Sequence, residues 1–249
     1  IRQMGQQELD IVSIVKSITK YAVIVTEPET IKYHLEKAVH LAKEGRKGPV
    51  WIDIPLDVQA AQIDNNQLNG YNPNKIKSNV NEFLSKKVKQ AIHILNNSEH
   101  PVLLAGNGVH YASAKRALSQ LADILKIPVL TTWAGNDLFA DDHPLFIGKP
   151  GTLASRGANF TIQNTDCLIS IGARLDFDVT GFNQKNFARA AKKIVVDIDP
   201  AEIKKLQMTV DFPLAADGGD FIREFLNNIH LVKERNMSWL NTCRAWNKD

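Results

Sequence analysis

Short apolar runs alternate with helix-like stretches from residue 101 onward, and this alternation limits the possible folds more than any other feature. Apolar runs at 101–105, 127–130, 167–171 and 194–198 are separated by segments in which apolar residues recur at helical spacing. Runs of this length with helices between them are typical of parallel strands. The pattern therefore predicts an α/β fold, with a Rossmann-like domain whose mostly parallel sheet is flanked by helices.

Small or charged residues follow each of the predicted strands. The carboxyl ends of parallel strands share one edge of a sheet, and ligands of open α/β sheets bind there. Small residues let main-chain N–H groups approach a phosphate, a cation binds it, and carboxylates accept hydrogen bonds from sugar hydroxyls. The predicted contacts of a nucleotide cofactor are Gly106, Gly108, Thr132, Gly148, Lys149, Gly151, Gly172, Arg174, Asp176, Asp197, Asp199 and Asp217.

The chain divides into four parts by composition. Residues 1–62 contain one clear helix pattern, preceded by a capping-box signature at 26–29, and about two strands. So few elements cannot cover a parallel sheet on both faces, which predicts a partial α/β segment. Residues 63–80 are rich in amides and turn formers and predict a linker. Residues 81–229 form the predicted central domain, and 230–249 predict a linker helix or the start of a further domain.

Composition excludes several classes of protein. The net charge of +3 over 249 residues is too small and too scattered to indicate a nucleic-acid or membrane partner. No apolar run is long enough to span a bilayer, and the two cysteines lack metal-ligand spacing, so a reducing cytoplasm is expected. The Asp217 to Asp220 segment predicts a helix cap, given by Asp217 or Asp220, rather than a metal site. No nucleophile elbow or phosphate-binding Walker loop is present, so we predict no catalytic residue.

Several segments together resemble one family, the thiamine-diphosphate-dependent enzymes of the acetolactate synthase type. The most specific are Gly-Ala-Arg at 172–174 with Val-Thr-Gly at 179–181, and Asp-Ile-Asp-Pro-Ala-Glu-Ile at 197–203. The other similar segments are 7–8, 17–20, 45–57, 101–109, 132–135, 148–151 and the tryptophan-containing tail. The matches run nearly from end to end in the family's order.

The resemblance implies that the chain is a piece of a larger enzyme. Residues 1–62 would end the pyrimidine-binding domain, and residues 230–249 would begin the pyrophosphate-binding domain. The family's catalytic Glu would lie before Ile1 and its magnesium-binding motif after Asp249, so we expect this piece alone to be inactive. Gln7 and Lys20 would line the substrate channel.

The resemblance also implies the function of the whole enzyme. It would be a transferase or lyase of branched-chain amino acid biosynthesis that decarboxylates a 2-keto acid and joins the product to a second carbonyl. Its cofactors would be thiamine diphosphate and magnesium, with FAD possible in the central domain. A homodimer or homotetramer is expected, because the family forms its thiamine site between subunits.

Two departures from the family pattern leave the cofactor and substrate open. The family's Asp-Asp-Arg reads Asp176-Phe177-Asp178 here, so an anion replaces a cation, and the family's Met-His reads Lys149-Pro150. FAD, another nucleotide or no ligand remain alternatives for the central domain. The alternatives for function are a related thiamine enzyme of surface-polysaccharide or sugar metabolism, and a non-catalytic nucleotide-binding module.

Overall fold

The computed structural model describes residues 9–73 and 80–247, which fall into two compact units. Unit 1 is Ile1–Ser78 and unit 2 is Asn79–Asp249. The predicted linker, residues 63–80, extends across this division, and its residues 74–79 lie outside the described residues. The four-part division predicted from composition stays a prediction.

Unit 1 is built around a parallel pair of strands, β1 (Tyr21–Ile24) and β2 (Val50–Asp53). Its helices are α1 (Ile11–Val15), α2 (Ile31–Lys43) and α3 (Leu56–Ala60). The capping box predicted at 26–29 is wrong, because a 3₁₀ turn at Pro28–Thr30 leads into α2 and no side chain caps either one. Proline at the first position of that turn starts it, since its fixed φ suits a helix.

Unit 2, described over residues 80–247, contains a six-stranded sheet in which every strand pair is parallel. The order across the sheet is β5-β4-β3-β6-β7-β8. Counted within the unit, this is third, second, first, fourth, fifth, sixth, the order of doubly wound dinucleotide-binding domains. The predicted fold class is confirmed. The strands are β3 (Pro101–Ala105), β4 (Val129–Thr131), β5 (Phe146–Gly148), β6 (Cys167–Ile171), β7 (Lys192–Asp197) and β8 (Phe212–Ala215).

Helices cover both faces of this sheet. Every residue of β3 and β6, the two central strands, is buried, which explains why their sequences are continuous apolar runs. The helices are α4 (Val80–Asn96), α5 (Gly108–Tyr111), α6 (Lys115–Leu125), α7 (Arg156–Gln163), α8 (Phe177–Thr180), α9 (Pro200–Lys204), α10 (Gly218–Asn227) and α11 (Ser238–Ala245). Further 3₁₀ turns lie at Trp133–Leu138, Gln184–Asn186 and Ile229–Leu231.

The tail of the chain packs onto unit 2. The Trp239 indole Nε1 donates a 3.0 Å hydrogen bond to the carbonyl of Pro101, at the start of β3, and the ring stacks on His100 with centroids 4.4 Å apart. Leu240 and Cys243, on the same helix, are buried. Residues 230–247 therefore group with unit 2, and their role as the start of a further domain stays a prediction.

Candidate functional site

The carboxyl edge of the unit 2 sheet gathers all of the residues predicted to bind a nucleotide. They lie in or just after β3, β4, β5, β6, β7 and β8, and parallel pairing brings the ends of these strands to one edge. The strand order reverses between β3 and β6, which is the switch point where a crevice opens in such sheets. Residues that are far apart in the sequence thus lie on one shared surface.

The loops after β3 and β6 cross in direct contact at this switch point. A Cβ added to Gly106 would lie 2.3 Å from the carbonyl oxygen of Gly172, and one added to Gly108 would lie 2.7 Å from the Gly172 Cα. The Gly106 N–H donates to Ile171 O and the Gly108 N–H donates to Gly172 O, both at 3.0 Å. Gly106 and Gly108 thus let two loops cross, and their N–H groups are already bonded within the chain, so their predicted contact with a nucleotide stays a prediction.

The loop after β6 has a strained main chain. Gly172, Arg174 and Leu175 all have left-handed φ angles of 57°, 58° and 50°. Two adjacent non-glycine residues in this region cost on the order of 1–2 kcal/mol each, and such strain concentrates at ligand sites. The strained turn therefore marks this loop as the centre of the candidate site.

Arg174 projects from this strained turn towards α9. Its Nε lies 3.5 Å from a carboxylate oxygen of Glu202, and the Arg174 side chain is 59% exposed whereas that of Glu202 is 11% exposed. Glu202 also pairs with Lys205 one turn later. Glu202 thus anchors one side of the guanidinium while more than half of it stays accessible to an anion.

Three of the predicted acidic residues already bond to main-chain N–H groups. Asp199 accepts from Ala201 N at 2.9 Å and caps α9, and Asp217 accepts from Gly219 N at 2.8 Å and caps α10. The predicted cap by Asp217 is confirmed, because capping needs an oxygen at this position. Asp197 accepts from Asp199 N at 2.9 Å. These carboxylates shape the loops that surround the crevice.

Asp176 differs from these three carboxylates. Within the described part of the chain, its Oδ1 is buried and has no hydrogen-bond partner. A buried acceptor without a donor costs about 1–3 kcal/mol. A hydroxyl or N–H group of a ligand could satisfy this oxygen after a small shift of the loop.

The loop after β5 contacts the segment that follows β4 and the segment that follows β6. Lys149 Nζ donates a 2.6 Å hydrogen bond to Asn136 Oδ1, in the 3₁₀ segment after β4. Gly151 has a φ of 133°, and a Cβ there would lie 1.9 Å from the carbonyl oxygen of Asp178, in α8. The Thr152 N–H donates to that same carbonyl at 3.0 Å. Glycine is required at 151 by both its conformation and this contact.

A histidine–carboxylate pair joins the segments after β3 and β4. His110 Nε2 lies 2.8 Å from Asp137 Oδ1, and Lys115 Nζ donates to the Asp137 carbonyl. The hydrogen bond from His110 holds the pKa of the exposed Asp137 carboxyl below its usual value. Thr132 begins the same 3₁₀ segment and is buried. Neighbouring loops along the edge are therefore tied together before any ligand binds.

A cavity of about 730 Å³ lies beside β5, at the outer end of this edge. Its lining includes Gly148 and Lys149 together with Leu153, Ser155 and Asn247. The volume suits a small-molecule ligand, but only two of the predicted nucleotide contacts line it. Another cavity, of about 460 Å³, lies at the opposite, amino edge of the sheet. It is formed where residues 233–240 pack against the start of β3.

The remaining predicted residues fall elsewhere. Gln7 lies outside the described residues. Lys20 is in unit 1, where its Nζ donates to the carbonyl of Glu44 and its N–H donates to Pro49 O, so it ties β1 to the loop before β2. Their predicted place in a substrate channel stays a prediction.

Three further observations concern metal-ligand clusters, long apolar helices and thiols in the described segments. No group of three or more His, Cys, Asp or Glu side chains within residues 9–73 and 80–247 could hold a metal ion. No helix in these same segments has both the length and the apolar character needed to cross a bilayer. Burial raises the pKa of the Cys167 and Cys243 thiols to about 12, so both are protonated at neutral pH.

Comparison with known proteins decides the family. Residues 88–225 match the family described as "Thiamine pyrophosphate enzyme, central domain". The chain belongs to the thiamine pyrophosphate enzyme family. The matched range begins within α4 and ends within α10, so it contains the whole six-stranded sheet and the carboxyl edge described above.

Curated relatives within the thiamine pyrophosphate enzymes are acetolactate synthases. A probable acetolactate synthase large subunit of Methanocaldococcus jannaschii is 38% identical over 228 residues, which is 88% of this chain and 37% of that protein. The acetolactate synthase large subunit of Corynebacterium glutamicum is 38% identical over 232 residues, 91% of this chain and 36% of that protein. The mitochondrial catalytic subunit of the Saccharomyces cerevisiae enzyme is 32% identical over 98% of this chain and 37% of its own length. The chain thus spans about two fifths of the length of such relatives.

Sequence reasoning missed four residues that organise the site, Glu202, Asn136, His110 and Asp137. Glu202 holds Arg174, Asn136 holds Lys149, and His110 holds Asp137. Each partner lies on the segment after a neighbouring strand, so the signal lay in the strand order. A correct prediction of the strand order would have placed the segment after β6 beside the segment after β7, and so Arg174 beside Glu202.

Proposed function

We propose that the chain is the central part of a thiamine-diphosphate-dependent carboligase of the acetolactate synthase type, which decarboxylates a 2-keto acid. Its second unit would bind FAD at the carboxyl edge of the sheet. One observation carries the nucleotide site: the strained loop at the β3/β6 switch point presents a half-exposed Arg174 beside an unpaired Asp176 oxygen. The 38% identity with an acetolactate synthase large subunit supports the reaction class.

The residues at this edge fit FAD in part. Arg174 supplies an exposed cation for a diphosphate, and Asp176 supplies an acceptor for a ribose or ring donor. Lys149 supplies a second cation once it leaves Asn136. Asp178 opposes binding, because its exposed carboxylate stands where the resembled family has arginine. The edge therefore favours an anionic dinucleotide that approaches from the Arg174 side.

The decarboxylation and carbon–carbon bond formation would be supplied by thiamine diphosphate with magnesium in the whole protein. This chain's own residues would position the accessory nucleotide and support the neighbouring domains. The catalytic Glu and the magnesium ligands would lie in other parts of the whole protein. Assembly as a homodimer or homotetramer in the cytoplasm, with a 2-keto acid as substrate, belongs to the same proposal.

The nucleotide site is tested by titrating the chain with FAD and following flavin fluorescence. We expect saturable binding that is weakened about ten-fold or more in Arg174→Ala, because a lost charge-assisted contact costs about 1.5–3 kcal/mol. Arg223→Ala is the matched control, since Arg223 is similarly exposed, at 51%, and pairs with Asp220 on a different element, α10. Equal losses in both variants, or no binding of FAD by the parent chain, would contradict the proposal.

The reaction class is tested in two steps. We expect no release of carbon dioxide from pyruvate when the chain is supplied with thiamine diphosphate and magnesium. Measurable turnover would overturn the assignment of the catalytic Glu to another part of the protein. Acetolactate formation by the full-length protein tests the carboligase itself, and decarboxylation of a different 2-keto acid would replace that part of the proposal.

The Phe177-Asp178 departure favours a second candidate, a related thiamine enzyme of surface-polysaccharide or sugar metabolism with another nucleotide in its central domain. The same titration with ADP and NADH separates the two. Binding of ADP or NADH in preference to FAD would support the second candidate, whereas preference for FAD would support the first.

A further inference from the structure

Two phenylalanines form an exposed aromatic pair beside the candidate nucleotide site. The rings of Phe177 and Phe182 stack at 5.7 Å between centroids with planes 19° apart. Phe177 is 55% exposed and Phe182 is 89% exposed. Single exposed apolar residues are common, but two adjacent exposed rings together leave a larger apolar surface in water.

Core packing does not account for this pair. The next residues along the short helix α8, Val179 and Thr180, are buried and attach it to unit 2. Phe187, a few residues beyond Phe182, is buried as well, so phenylalanine in this segment can point inward. Phe177 and Phe182 instead stay at the surface and contact each other.

The position of the pair connects it to the nucleotide site. Phe177 directly follows Asp176 and lies three residues after Arg174, on the strained loop at the switch point. The loop after β5 holds the start of α8 as well. The Thr152 N–H donates a hydrogen bond to the carbonyl of Asp178, and Gly151 lies in close contact with the same carbonyl. The aromatic pair is therefore held on a segment that two neighbouring loops constrain.

We propose that Phe177 and Phe182 form a stacking platform for the planar heteroaromatic ring of the nucleotide. This inference rests on the proposed nucleotide-binding function of the carboxyl edge. Flavin and adenine both present a flat π-face, which stacks on an aromatic side chain without requiring a matching set of hydrogen bonds. Arg174 binds the phosphate, and the phenylalanine pair binds the ring.

The platform also gives the departure from the family pattern a physical reason. The resembled family has Asp-Asp-Arg where this chain has Asp176-Phe177-Asp178. The change removes a cation that could bind phosphate and introduces a ring that can stack. Recognition at this loop thus shifts from charge towards stacking.

The test compares the chain with three variants, Phe177→Leu, Phe182→Leu and Phe83→Leu. Leucine keeps an apolar side chain but cannot stack, and Phe83 is the matched control because it is 56% exposed on α4. Each protein is titrated with FAD, FMN and ADP by calorimetry, with flavin emission as a second readout. The melting temperature of each variant confirms that it is folded.

We expect the dissociation constant for the preferred ligand to rise about five-fold in Phe177→Leu and Phe182→Leu and to be unchanged in Phe83→Leu. Quenching of flavin emission should weaken in the same two variants if flavin is the ring, and ADP affinity should fall if adenine is. Equal nucleotide affinity in all four proteins would contradict the stacking platform but not the nucleotide site itself. No binding by the parent chain overturns both.

Sedimentation velocity on the same samples tests a different occupant, a second copy of the chain. A dimer of the parent chain that Phe182→Leu dissociates, with nucleotide affinity unchanged, would overturn the platform. A sedimentation coefficient that is the same for the parent chain and both pair variants, together with the loss of nucleotide affinity, supports it.

Discussion

Replacing Gly106 with alanine tests whether the loop crossing at the switch point holds the candidate site together. Gly106 does not have a positive φ, so alanine could adopt its conformation. Its Cβ, however, would lie 2.3 Å from Gly172 O and 2.4 Å from the Ala173 Cα, where carbon atoms normally keep about 3.5 Å or more. Both neighbours are main-chain atoms, so no side chain can turn away to make room.

The size of the effect follows from what must move. The β3 and β6 loops would have to separate by about an ångström, since that is the overlap with normal contact distance. This would weaken the 3.0 Å bonds from Gly106 N and Gly108 N, each of which contributes about 1 kcal/mol net. With about 1–3 kcal/mol for overpacking, we expect a loss of about 2–5 kcal/mol in the free energy of unfolding. For a unit of this size that is a fall on the order of 10 °C in melting temperature.

Gly218→Ala is the matched control for this variant. Gly218 also lies against the end of β6 and has no positive φ, but its Cβ would meet only the Cγ2 of the Ile171 side chain, at 3.0 Å. A methyl group can shift by a few tenths of an ångström, so the expected change is under about 1 kcal/mol. Urea unfolding followed by tryptophan fluorescence measures both variants. If Gly106→Ala were as stable as the parent chain, the close contact between the β3 and β6 loops would be refuted.

Three further predictions use charge and burial. Because burial raises the pKa of the Cys167 and Cys243 thiols to about 12, we expect neither to react with a disulfide reagent in the folded chain near pH 8, and both to react in denaturant. Hydrogen bonds, the largest contribution from Ser85, lower the pKa of Glu224 from its ordinary value of 4.5. Its stabilisation is therefore fully present above that value and is lost as pH falls through the lower folded pKa, so the melting-temperature gap between the chain and Glu224→Gln should close as pH falls below 4.5. Asp178→Arg should tighten FAD binding about five-fold, as expected of an exposed charge contact worth ~1 kcal/mol, whereas Asp178→Asn should give a smaller gain.

The central strands could be predicted because a strand that is buried on both faces has apolar or small residues at every position. β3 and β6 lie between other strands and under helices, so all of their residues are apolar or small and a continuous run results. Asp217 could be recognised as a helix cap for a similar reason, since the cap is a local contact over two residues. Local chemistry and full burial are visible in a sequence.

The edge strands were not predicted, and the reason is physical. β8 is a short apolar run, Phe-Pro-Leu-Ala, and the proline within it argues against a strand when only the sequence is considered. Proline is accepted there because β8 is at the edge of the sheet, where one side of the strand needs no partner. β5 is only three residues long and begins after a turn at His143, so its strand character comes from pairing with β4.

The sequence predicted which residues lie at the candidate site, but not which side chains contact each other there. Strand ends and the parallel topology were enough to place Arg174 and Asp176 at one edge. The partner of Arg174 depends on how α9 turns back over β7, which no local pattern encodes. The contact of Gly106 with the β6 loop could not be predicted, because a glycine that approaches a phosphate and one that approaches another loop look alike in sequence.

The pairing of β3 with β6 also dictates when the crevice can form during synthesis. Pro101 pairs with Cys167, 66 residues later, whereas β4 follows β3 within one short helical crossover. Closing the longer loop costs more entropy before any contact offsets it, so we expect the β3–β4 pair to form first and the β3–β6 pair later. A nascent chain that has emerged only as far as β5 already has half of its sheet but no switch point. A crevice at the switch point therefore requires β6, and we expect it to form in a late step of folding.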